Sequence, residues 1–438
     1  MKGRHQGSEP MELLQRATAL IISAGIAAGC ASAPVPPSAA TATIPPPTVG
    51  PTAAPLRPST EPTAAPTPEP TPAFGLFRAL VHVAAPIAPI VVVDFDRDGN
   101  LDIVGAKGDG SISLWLGAGD GTFAHARDLP GGEGPPQLAV ADLNGDKRLD
   151  IVLTHFGATD AGFTGSDDVV VLLAKKDGTF KRLVRPAGSG PTALAIGDFN
   201  NDGKPDLATA NNADHASIFI GHGDGTFDDP LDVPIAAAFA SGIAAADLDG
   251  DGNLDLATAN SLIGAGRSAR SASVALGRGD GTFDPATEYL VGGPQPVLPV
   301  IVDLNGDGAL DIAMPDGYPT ENVSILFGIG DGTFGTSVQT KVGNNAHSLV
   351  VTDLNGDMYP DLVAGNLDDS DEHTSKDSGI GIAFGAAGGS FEPQVVIWGP
   401  GFGQGIGAAA DLDGDRKVDL IIFGDDDLIV LFNAIPRA

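Results

Sequence analysis

Short apolar runs rich in β-branched residues recur along the chain, and acidic nine-residue segments separate them. The run PIVVV at 89–93 precedes the first acidic segment, and LDIVGA at 101–106 overlaps its end and continues beyond it. Runs of about five such residues are typical of β-strands. No long segment with a 3.6-residue period lies beyond the N-terminus, so the pattern predicts an all-β fold.

The acidic segments follow the pattern D-x-[DN]-x-D-x-x-x-D, which occurs seven times, about every fifty residues. Alternate residues of a turning loop point inward, so positions 1, 3 and 5 can reach one centre. The carbonyl of position 7 and the carboxylate of position 9 can complete a shell of hard oxygen ligands, which suits Ca²⁺. The alternative is a set of Asx-turns without metal.

Each loop therefore supplies five candidate calcium ligands, at positions 1, 3, 5, 7 and 9. Position 7 has no side-chain preference, as expected for a ligand that binds through its backbone carbonyl. The seven sets are Asp94, Asp96, Asp98, Asn100 and Asp102; Asp142, Asn144, Asp146, Arg148 and Asp150; Asp198, Asn200, Asp202, Lys204 and Asp206; Asp247, Asp249, Asp251, Asn253 and Asp255; Asp303, Asn305, Asp307, Ala309 and Asp311; Asp353, Asn355, Asp357, Tyr359 and Asp361; Asp411, Asp413, Asp415, Lys417 and Asp419.

Glycine usually occupies position 6, and three loops depart from this by carrying Lys147, Met358 and Arg416. The same three loops have glycine at position 4. Every loop thus keeps at least one residue that adopts a positive φ without steric cost. The loops are too short for an EF-hand and lack its glutamate at position 12.

A second motif, close to G-x-G-D-G-T-F, lies between the acidic loops at 116–123, 174–180, 220–227, 276–283, 327–334 and, degraded, 384–391. Asp-Gly is a hairpin-turn signal, and the phenylalanine is expected to pack between neighbouring units. The distance from this phenylalanine to the next loop is always 18 to 20 residues, and Phe74 precedes Asp94 by 20. The repeats therefore begin at residue 74.

Seven such units predict a seven-bladed β-propeller spanning residues 74–438. The last unit ends near Phe432, before a fourth strand could form. We expect the strand at 76–83 to complete the C-terminal blade, formed by roughly 406–432. This closure would remove an open sheet edge that invites aggregation.

The loop lengths predict a ligand-binding face opposite the acidic loops. The second, fourth and sixth units carry insertions between their second and third strands, at 155–168, 260–271 and 366–378. Insertions of this kind often map to a binding face. Aromatic and amide side chains expected on this face are candidate ligand contacts, and packing is the alternative for each: His155, Asn211, His215, Tyr318, His347, Trp398 and Phe402.

The chain carries 24 Lys and Arg against 56 Asp and Glu, a net charge of −32, which argues against nucleic-acid binding. The seven loops hold 24 of the acidic residues, so much of the negative charge lies on candidate metal ligands. We expect the metal-free protein to be destabilised by its clustered carboxylates, and the propeller to be monomeric.

The N-terminus predicts export. Basic residues precede an apolar stretch at 17–28, which is too short to span a bilayer and suits the core of a signal peptide. Ala27-Ala28-Gly29-Cys30 resembles a bacterial lipoprotein box, although Ala27 replaces the usual leucine. In that interpretation residues 1–30 are a signal peptide, Cys30 is lipidated, and the membrane is reached only through this anchor. Ordinary secretion, cut near Ala31-Ser32-Ala33, and a cytoplasmic protein are the alternatives.

Residues 31–73 are rich in Pro, Ala and Thr and cannot form a core, so they predict an extended tether. Such a segment would hold the repeats away from an envelope surface. Export also suits the acidic loops, because extracellular modules can use millimolar calcium.

The acidic loops and the GDGTF segments together resemble FG-GAP/VCBS repeats, which are similar to the calcium-bearing propeller repeats of integrin α subunits. The resemblance covers residues 74–438 and implies a propeller with about seven Ca²⁺ sites. It implies adhesion, or the binding of an extracellular glycan or protein. A purely structural module of an envelope complex is an alternative.

An enzyme, such as a polysaccharide lyase or hydrolase, is the third possibility. The chain contains no G-x-S-x-G, no H-E-x-x-H and no cysteine nucleophile. Acids are too common here to single out a catalytic pair. We therefore expect no enzymatic activity.

Overall fold

Seven four-stranded antiparallel sheets follow one another along the chain in a computed structural model of the protein. The structure describes residues 76–84, 87–132, 136–155, 167–187, 190–235, 240–261, 270–293, 295–317, 320–343, 345–366, 379–398, 402–424 and 427–437. Residues 1–73, with Cys30 and the predicted tether, lie outside this set. Among the described residues, no helix has the length and apolar character needed to cross a bilayer.

The first three blades run in sequence order from their first to their fourth strand. We name the blades A to G in chain order. Blade A comprises β2 (Ile90–Val93), β3 (Asp102–Ala106), β4 (Ile112–Gly117) and β5 (Phe123–Leu129); blade B comprises β6 (Pro136–Ala141), β7 (Asp150–His155), β8 (Asp168–Ala174) and β9 (Phe180–Pro186); blade C comprises β10 (Pro191–Gly197), β11 (Asp206–Asn211), β12 (His215–Phe219) and β13 (Leu231–Pro234).

The next three blades repeat the same order, and blade F adds a small hairpin, β25 (Gly385–Ala386) with β26 (Ser390–Phe391). Blade D comprises β14 (Ala240–Ala246), β15 (Asp255–Ser261), β16 (Arg270–Ala275) and β17 (Thr287–Leu290); blade E comprises β18 (Val300–Val302), β19 (Asp311–Pro315), β20 (Asn322–Leu326) and β21 (Val338–Lys341); blade F comprises β22 (Ala346–Thr352), β23 (Asp361–Asn366), β24 (Gly379–Ala383) and β27 (Val395–Trp398).

The two ends of the repeat region meet in the last blade. Blade G comprises β28 (Phe402–Ala410), β29 (Asp419–Gly424), β30 (Leu428–Asn433) and, as its outer strand, β1 (Phe77–Val83). The register pairs Val83 with Leu428 and Phe77 with Asn433, with an irregularity between Phe77 and Leu80. The predicted all-β seven-bladed propeller, closed by an N-terminal strand, is confirmed.

The core consists of seven apolar clusters, and each joins two neighbouring blades. One of them closes the ring by packing Val83 and Leu428 of blade G against Ile90 and Ile103 of blade A. Six clusters also hold the phenylalanine of a GDGTF segment, between its own blade and the preceding one. The predicted packing role of these phenylalanines is therefore confirmed: Phe123, Phe180, Phe227, Phe283, Phe334 and Phe391.

The connections between strands separate the acidic loops from the insertions. In every blade the acidic loop joins the first strand to the second, whereas the three insertions join the second to the third. Strands alternate in direction, so these connections leave the sheets at opposite ends. The insertions at 156–166, 262–269 and 367–378 lie outside the described residues.

Candidate metal centres

The last aspartate of each acidic loop is the first residue of its blade's second strand and has no exposed surface. One carboxylate oxygen accepts the N–H of loop position 2, as between Asp311 Oδ2 and Leu304 at 2.8 Å. The other accepts an N–H at or just after the end of the third strand, as between Asp311 Oδ1 and Gly328 at 2.8 Å. The same pair of contacts recurs in all seven blades. This aspartate therefore fixes the loop to the blade.

Burial changes the protonation of these aspartates, because desolvation disfavours the charged carboxylate. Burial raises the pKa of Asp311 to about 6. Hydrogen bonds from the N–H groups of Gly328 and Leu304 lower this pKa, and the nearby carboxylates of Asp307 and Asp303 raise it. The pKa is raised, with burial as the largest cause, in all seven: Asp102, Asp150, Asp206, Asp255, Asp311, Asp361 and Asp419. A bound cation would supply the opposite charge that these carboxylates lack.

Backbone N–H groups orient the remaining carboxylates of each loop. In the blade D loop, Asp247 Oδ1 accepts the N–H of Asp251 at 3.1 Å and Asp247 Oδ2 accepts that of Gly252 at 3.0 Å. Asp249 Oδ1 accepts the N–H of Asp251, and Asp251 Oδ1 that of Asn253, at 3.1 and 2.8 Å. The Asx-turns of the alternative interpretation are thus present, and they are compatible with a metal because each oxygen has a second lone pair.

Positions 4 and 6 of every loop have a positive φ. Glycine supplies most of these positions at no steric cost. At the others a residue with a Cβ adopts the left-handed conformation: Arg97, Asn201, Lys147, Met358 and Arg416. The sequence predicted at least one left-handed residue per loop, and the structure shows two in each.

Three loops bring three carboxylates together, with one ligand oxygen from each within 4.8 Å of the others. These are the three loops with aspartate, not asparagine, at position 3. The groups are Asp94, Asp96 and Asp102; Asp247, Asp249 and Asp251; and Asp411, Asp413 and Asp419. An all-oxygen set with several carboxylates fits a hard cation such as Ca²⁺ and does not suit soft metals.

Basic side chains contact some of the loops. Arg148 and Lys204, at position 7, pair with the position-5 carboxylate of their own loops, and the Lys204 Nζ–Asp202 Oδ2 distance is 2.9 Å. In blade G, Arg78 of β1 pairs with Asp413, and its guanidinium lies 3.3 Å from Asp415. The loops are therefore not equivalent, because in these three a protein cation already neutralises a candidate ligand.

Two of the predicted ligand-face residues are buried, which corrects their placement in exposed loops. His155 ends β7, and its Nδ1 lies 2.9 Å from Asp168 Oδ1. Asn211 ends β11, and its amide donates to Ser217 Oγ at 2.8 Å. Both positions face the neighbouring strand of their own blade, so these side chains hold the sheet together.

The other predicted ligand-face residues have different surroundings. His215 begins β12 and is partly exposed between Asp214 and Asp232, with ring nitrogens 3.4 and 3.6 Å from their carboxylates. His347 is half-buried, and its Nε2 lies 2.8 Å from Asn345 Oδ1. Trp398 and Phe402 lie at the ends of β27 and β28. Tyr318 lies outside the described residues.

Buried polar residues at the insertion-side ends of the second strands were missed as a group. In five blades a buried polar residue stands five positions after the last loop aspartate: His155, Asn211, Asn260, Asp316 and Asn366. Asn260 donates to Ser273 Oγ at 2.8 Å, and Ser324 donates to Asp316. The constant spacing was the available signal, but the sequence pattern suggested a surface position for two of them.

Comparison with known families decides the class of these repeats. The model of the FG-GAP-like repeat matches residues 94–153, 157–209, 198–258, 262–314 and 303–364, more than half of the chain. The chain belongs to the FG-GAP-like repeat family. An FG-GAP propeller is typically a non-enzymatic fold that binds a ligand or a protein. A search of the curated proteins gives no match.

Solved structures agree with the fold of this FG-GAP propeller. Chains in the crystal structures of BBS1N in complex with ARL6DN, soaked with mercury and with lead, match at TM-scores of 0.52 and 0.54 and 12% identity. Each match covers 83% of this chain and 98% of the other. A chain of Saccharomyces cerevisiae Sqt1 matches at 11% identity and a TM-score of 0.49, covering 83% of this chain and 99% of the other. The likeness to the two BBS1N-complex chains, at 12% identity, concerns the fold alone.

Proposed function

We propose that this FG-GAP propeller is a calcium-stabilised, surface-tethered extracellular domain that binds a glycan or a protein. The convergence of three carboxylates in each of three loops carries the proposal. Mutually repelling acids are held close together in an ordered turn, and a divalent cation is the simplest source of the missing opposite charge.

The seven loops would hold calcium with unequal affinity. The loops of blades A, D and G offer four aspartates each, and the others offer three and an asparagine. Affinity for Ca²⁺ rises with ligand charge. In blade G, however, Arg78 must leave Asp413 and Asp415 before both can bind a metal. We therefore expect the loops of blades A and D to fill first.

Calorimetric titration of the chelator-treated protein tests this order. Asp249→Asn in blade D should weaken a tight site, whereas Asn305→Asp at the same position in blade E should strengthen a weak one. The two substitutions change charge in opposite directions at equivalent positions. Absence of calcium binding, or an unchanged melting temperature after chelation, would contradict the calcium proposal.

Ligand binding is assigned to the face that carries the insertions at 155–168, 260–271 and 366–378. Loops on a rigid scaffold concentrate binding functions, and this face is free of the acidic loops. The calcium-loaded protein should be screened on arrays of glycans and envelope polysaccharides, with a chelated control. Calcium-dependent binding that is lost when insertion residues are replaced supports the assignment.

A scaffold role in an envelope complex is the second candidate. The observation that favours it is the buried aspartate in every blade, which ties the loop to two strands and gives calcium a purely structural use. A blank array with a folded, calcium-dependent protein would favour this role. Affinity capture from envelope extracts would then identify the binding protein.

The tether belongs to the same proposal. Cys30 would carry the lipid, and residues 31–73 would span the distance from the membrane to the propeller. Cys30→Ser should move the protein from the membrane fraction to the soluble fraction, and mass spectrometry of the mature N-terminus should lose the acyl mass. Membrane attachment that persists in Cys30→Ser would refute lipidation.

A further inference from the structure

Blade B has a basic outer edge in a chain that is strongly acidic overall. The segment 175–186, KKDGTFKRLVRP, carries five cations and one acid, while the whole chain has a net charge of −32. We define the basic edge as Lys175, Lys176, Lys181, Arg182 and Arg185. The first two lie in the GDGTF-type turn, and the others follow along β9.

No other outer strand has this character. All seven outer strands are described, and only β9 carries three cations without an acid. Its turn also differs, because Lys176 occupies the position of Gly119 and Gly223 in the matching turns of blades A and C. Seven residues of strand extend the row of charges over about 20 Å.

The lysines of this edge have no carboxylate within ion-pair distance among the described residues. Lys175, Lys176 and Lys181 are exposed. Asp177, the acid of the same turn, accepts hydrogen bonds from the N–H and the hydroxyl of Thr179 at 3.0 and 2.6 Å. The charges of the lysines are therefore available to a ligand.

The two arginines are held in place by neighbouring blades. Arg182 Nε donates to the Gly131 carbonyl at 3.1 Å, and Arg185 lies 3.4 Å from Asp229, whose side chain is fully exposed. These contacts hold the two guanidinium groups on opposite sides of β9, Arg182 towards blade A and Arg185 towards blade C. They neutralise little of the positive charge, because one partner is uncharged and the other is a long, solvent-screened pair.

An apolar shelf adjoins the basic edge. A cavity of about 210 Å³ between blades B and C is lined by Val169, Leu183, Val184, Phe219 and Phe227, among others. Val184 is 47% exposed at the rim of this cavity. The surface thus combines a row of positive charges with a patch on which a ring can pack.

The backbone of β9 is poorly suited to pairing with an added strand. The N–H of Ala187 donates to the Asp167 carbonyl at 3.0 Å, so by alternation the backbone groups of Arg182, Val184 and Pro186 point away from the blade. Pro186 has no N–H to offer, and charged residues with proline are how sheets prevent strand addition. Recognition at this edge must therefore use side chains.

We propose that the basic edge binds an anionic polysaccharide, whose acid groups meet the lysines and whose sugar rings pack on the Val184 shelf. This rests on the proposed extracellular role and names a ligand class at the outer edge of blade B, which begins at the acidic-loop end of the sheet and runs along β9 away from it. A linear polyanion fits because its charges repeat along its length and because its binding needs no backbone pairing.

Binding of the full chain to polygalacturonate, with neutral dextran as control, tests the proposal. The assay is run in calcium and in chelator, the latter below the melting temperature of the metal-free protein, because calcium could otherwise bridge the polymer to the acidic loops. We expect binding to polygalacturonate alone, with the dissociation constant rising about tenfold or more between about 50 and 500 mM NaCl. If the folded, metal-free protein does not bind the polymer, or if binding does not depend on salt, the proposal is wrong.

Lys181→Glu is compared with Lys341→Glu, since both lysines are exposed on outer strands, although Lys341 pairs with Glu321 at 2.7 Å. Lys181→Glu should weaken binding by about threefold or more, and Lys341→Glu should leave it unchanged. Equal effects would refute the assignment. Equal affinity for poly-L-glutamate or for anionic lipid vesicles would overturn the polysaccharide as ligand. A failure of calcium binding leaves these outcomes intact, so this proposal and the calcium proposal fail separately.

Discussion

The side chain of the last aspartate in each acidic loop has two roles. It accepts two backbone hydrogen bonds inside the blade, and it also presents a carboxylate to the loop. An acid rarely survives full burial without partners. Its recurrence in seven blades explains why the pattern tolerates variation at position 7 and none at position 9.

Asp311→Asn tests the hydrogen-bonding role of this aspartate separately from metal binding. The amide keeps the shape but has one acceptor oxygen, and its NH₂ would face a backbone N–H. We expect about 2 kcal/mol less stability in chelator, from a lost hydrogen bond and a buried unpaired donor. Urea denaturation measures it, with the exposed turn residue Asp331→Asn as control. Equal stability of Asp311→Asn and the parent protein would contradict the role assigned here.

Left-handed residues at position 6 give a second prediction at this scale. Met358 is 87% exposed at a φ of 76°, and Gly308 occupies the same position in blade E at 90°. Met358→Gly should stabilise by about 0.5–1 kcal/mol, because relief of the left-handed strain exceeds the entropy cost of glycine. Gly308→Ala should destabilise by a similar amount, because alanine is strained at this positive φ. Its Cβ would meet no atom within 4 Å, so the cost comes from the backbone alone. Thermal unfolding of both variants checks the signs.

At the scale of elements, β1 is the strand that closes the ring. It pairs along β30, places Phe77 and Val83 in two different core clusters, and sends Arg78 to the blade G loop. Two separate blade interfaces therefore depend on one strand that is distant in sequence.

Deletion of residues 1–84 should abolish cooperative folding, whereas deletion of residues 1–73 should not. The shorter deletion keeps β1, and the longer one exposes the edge of β30 and two core clusters. Soluble yield and the sharpness of thermal unfolding compare the two. A soluble, cooperatively unfolding protein without β1 would show that the ring closes in another way.

At the scale of the whole molecule, the buried aspartates link stability to pH and calcium. Their folded pKa, about 6 for Asp150, Asp255, Asp311, Asp361 and Asp419, lies above the ordinary 3.8. The folded state therefore binds more protons than the unfolded state between these values. Stability of the metal-free protein should rise as pH falls from 7 toward 4.

Calcium should reverse this trend, because the metal requires the ionised carboxylates and protons compete with it. Melting temperatures at pH 7, 6 and 5 give the pH dependence of stability, once with calcium and once with chelator. Parallel slopes in the two conditions would indicate that these aspartates do not bind metal. The Asp311→Asn variant should lose part of the slope in chelator.

The sequence by itself determined the fold, because seven loops and six GDGTF segments at constant spacing admit few arrangements of strands. It also placed the closing strand, since the last unit is one strand short. Tertiary structure alone decided which side chains are exposed. His155 and Asn211 looked like surface residues and are buried, and the fold decided that the lysines of the basic segment 175–186 are exposed on an outer edge. The spacing of motifs along a chain defines the repeats. The burial of a side chain and the charges that surround it depend on contacts between strands and blades, which no local sequence pattern encodes.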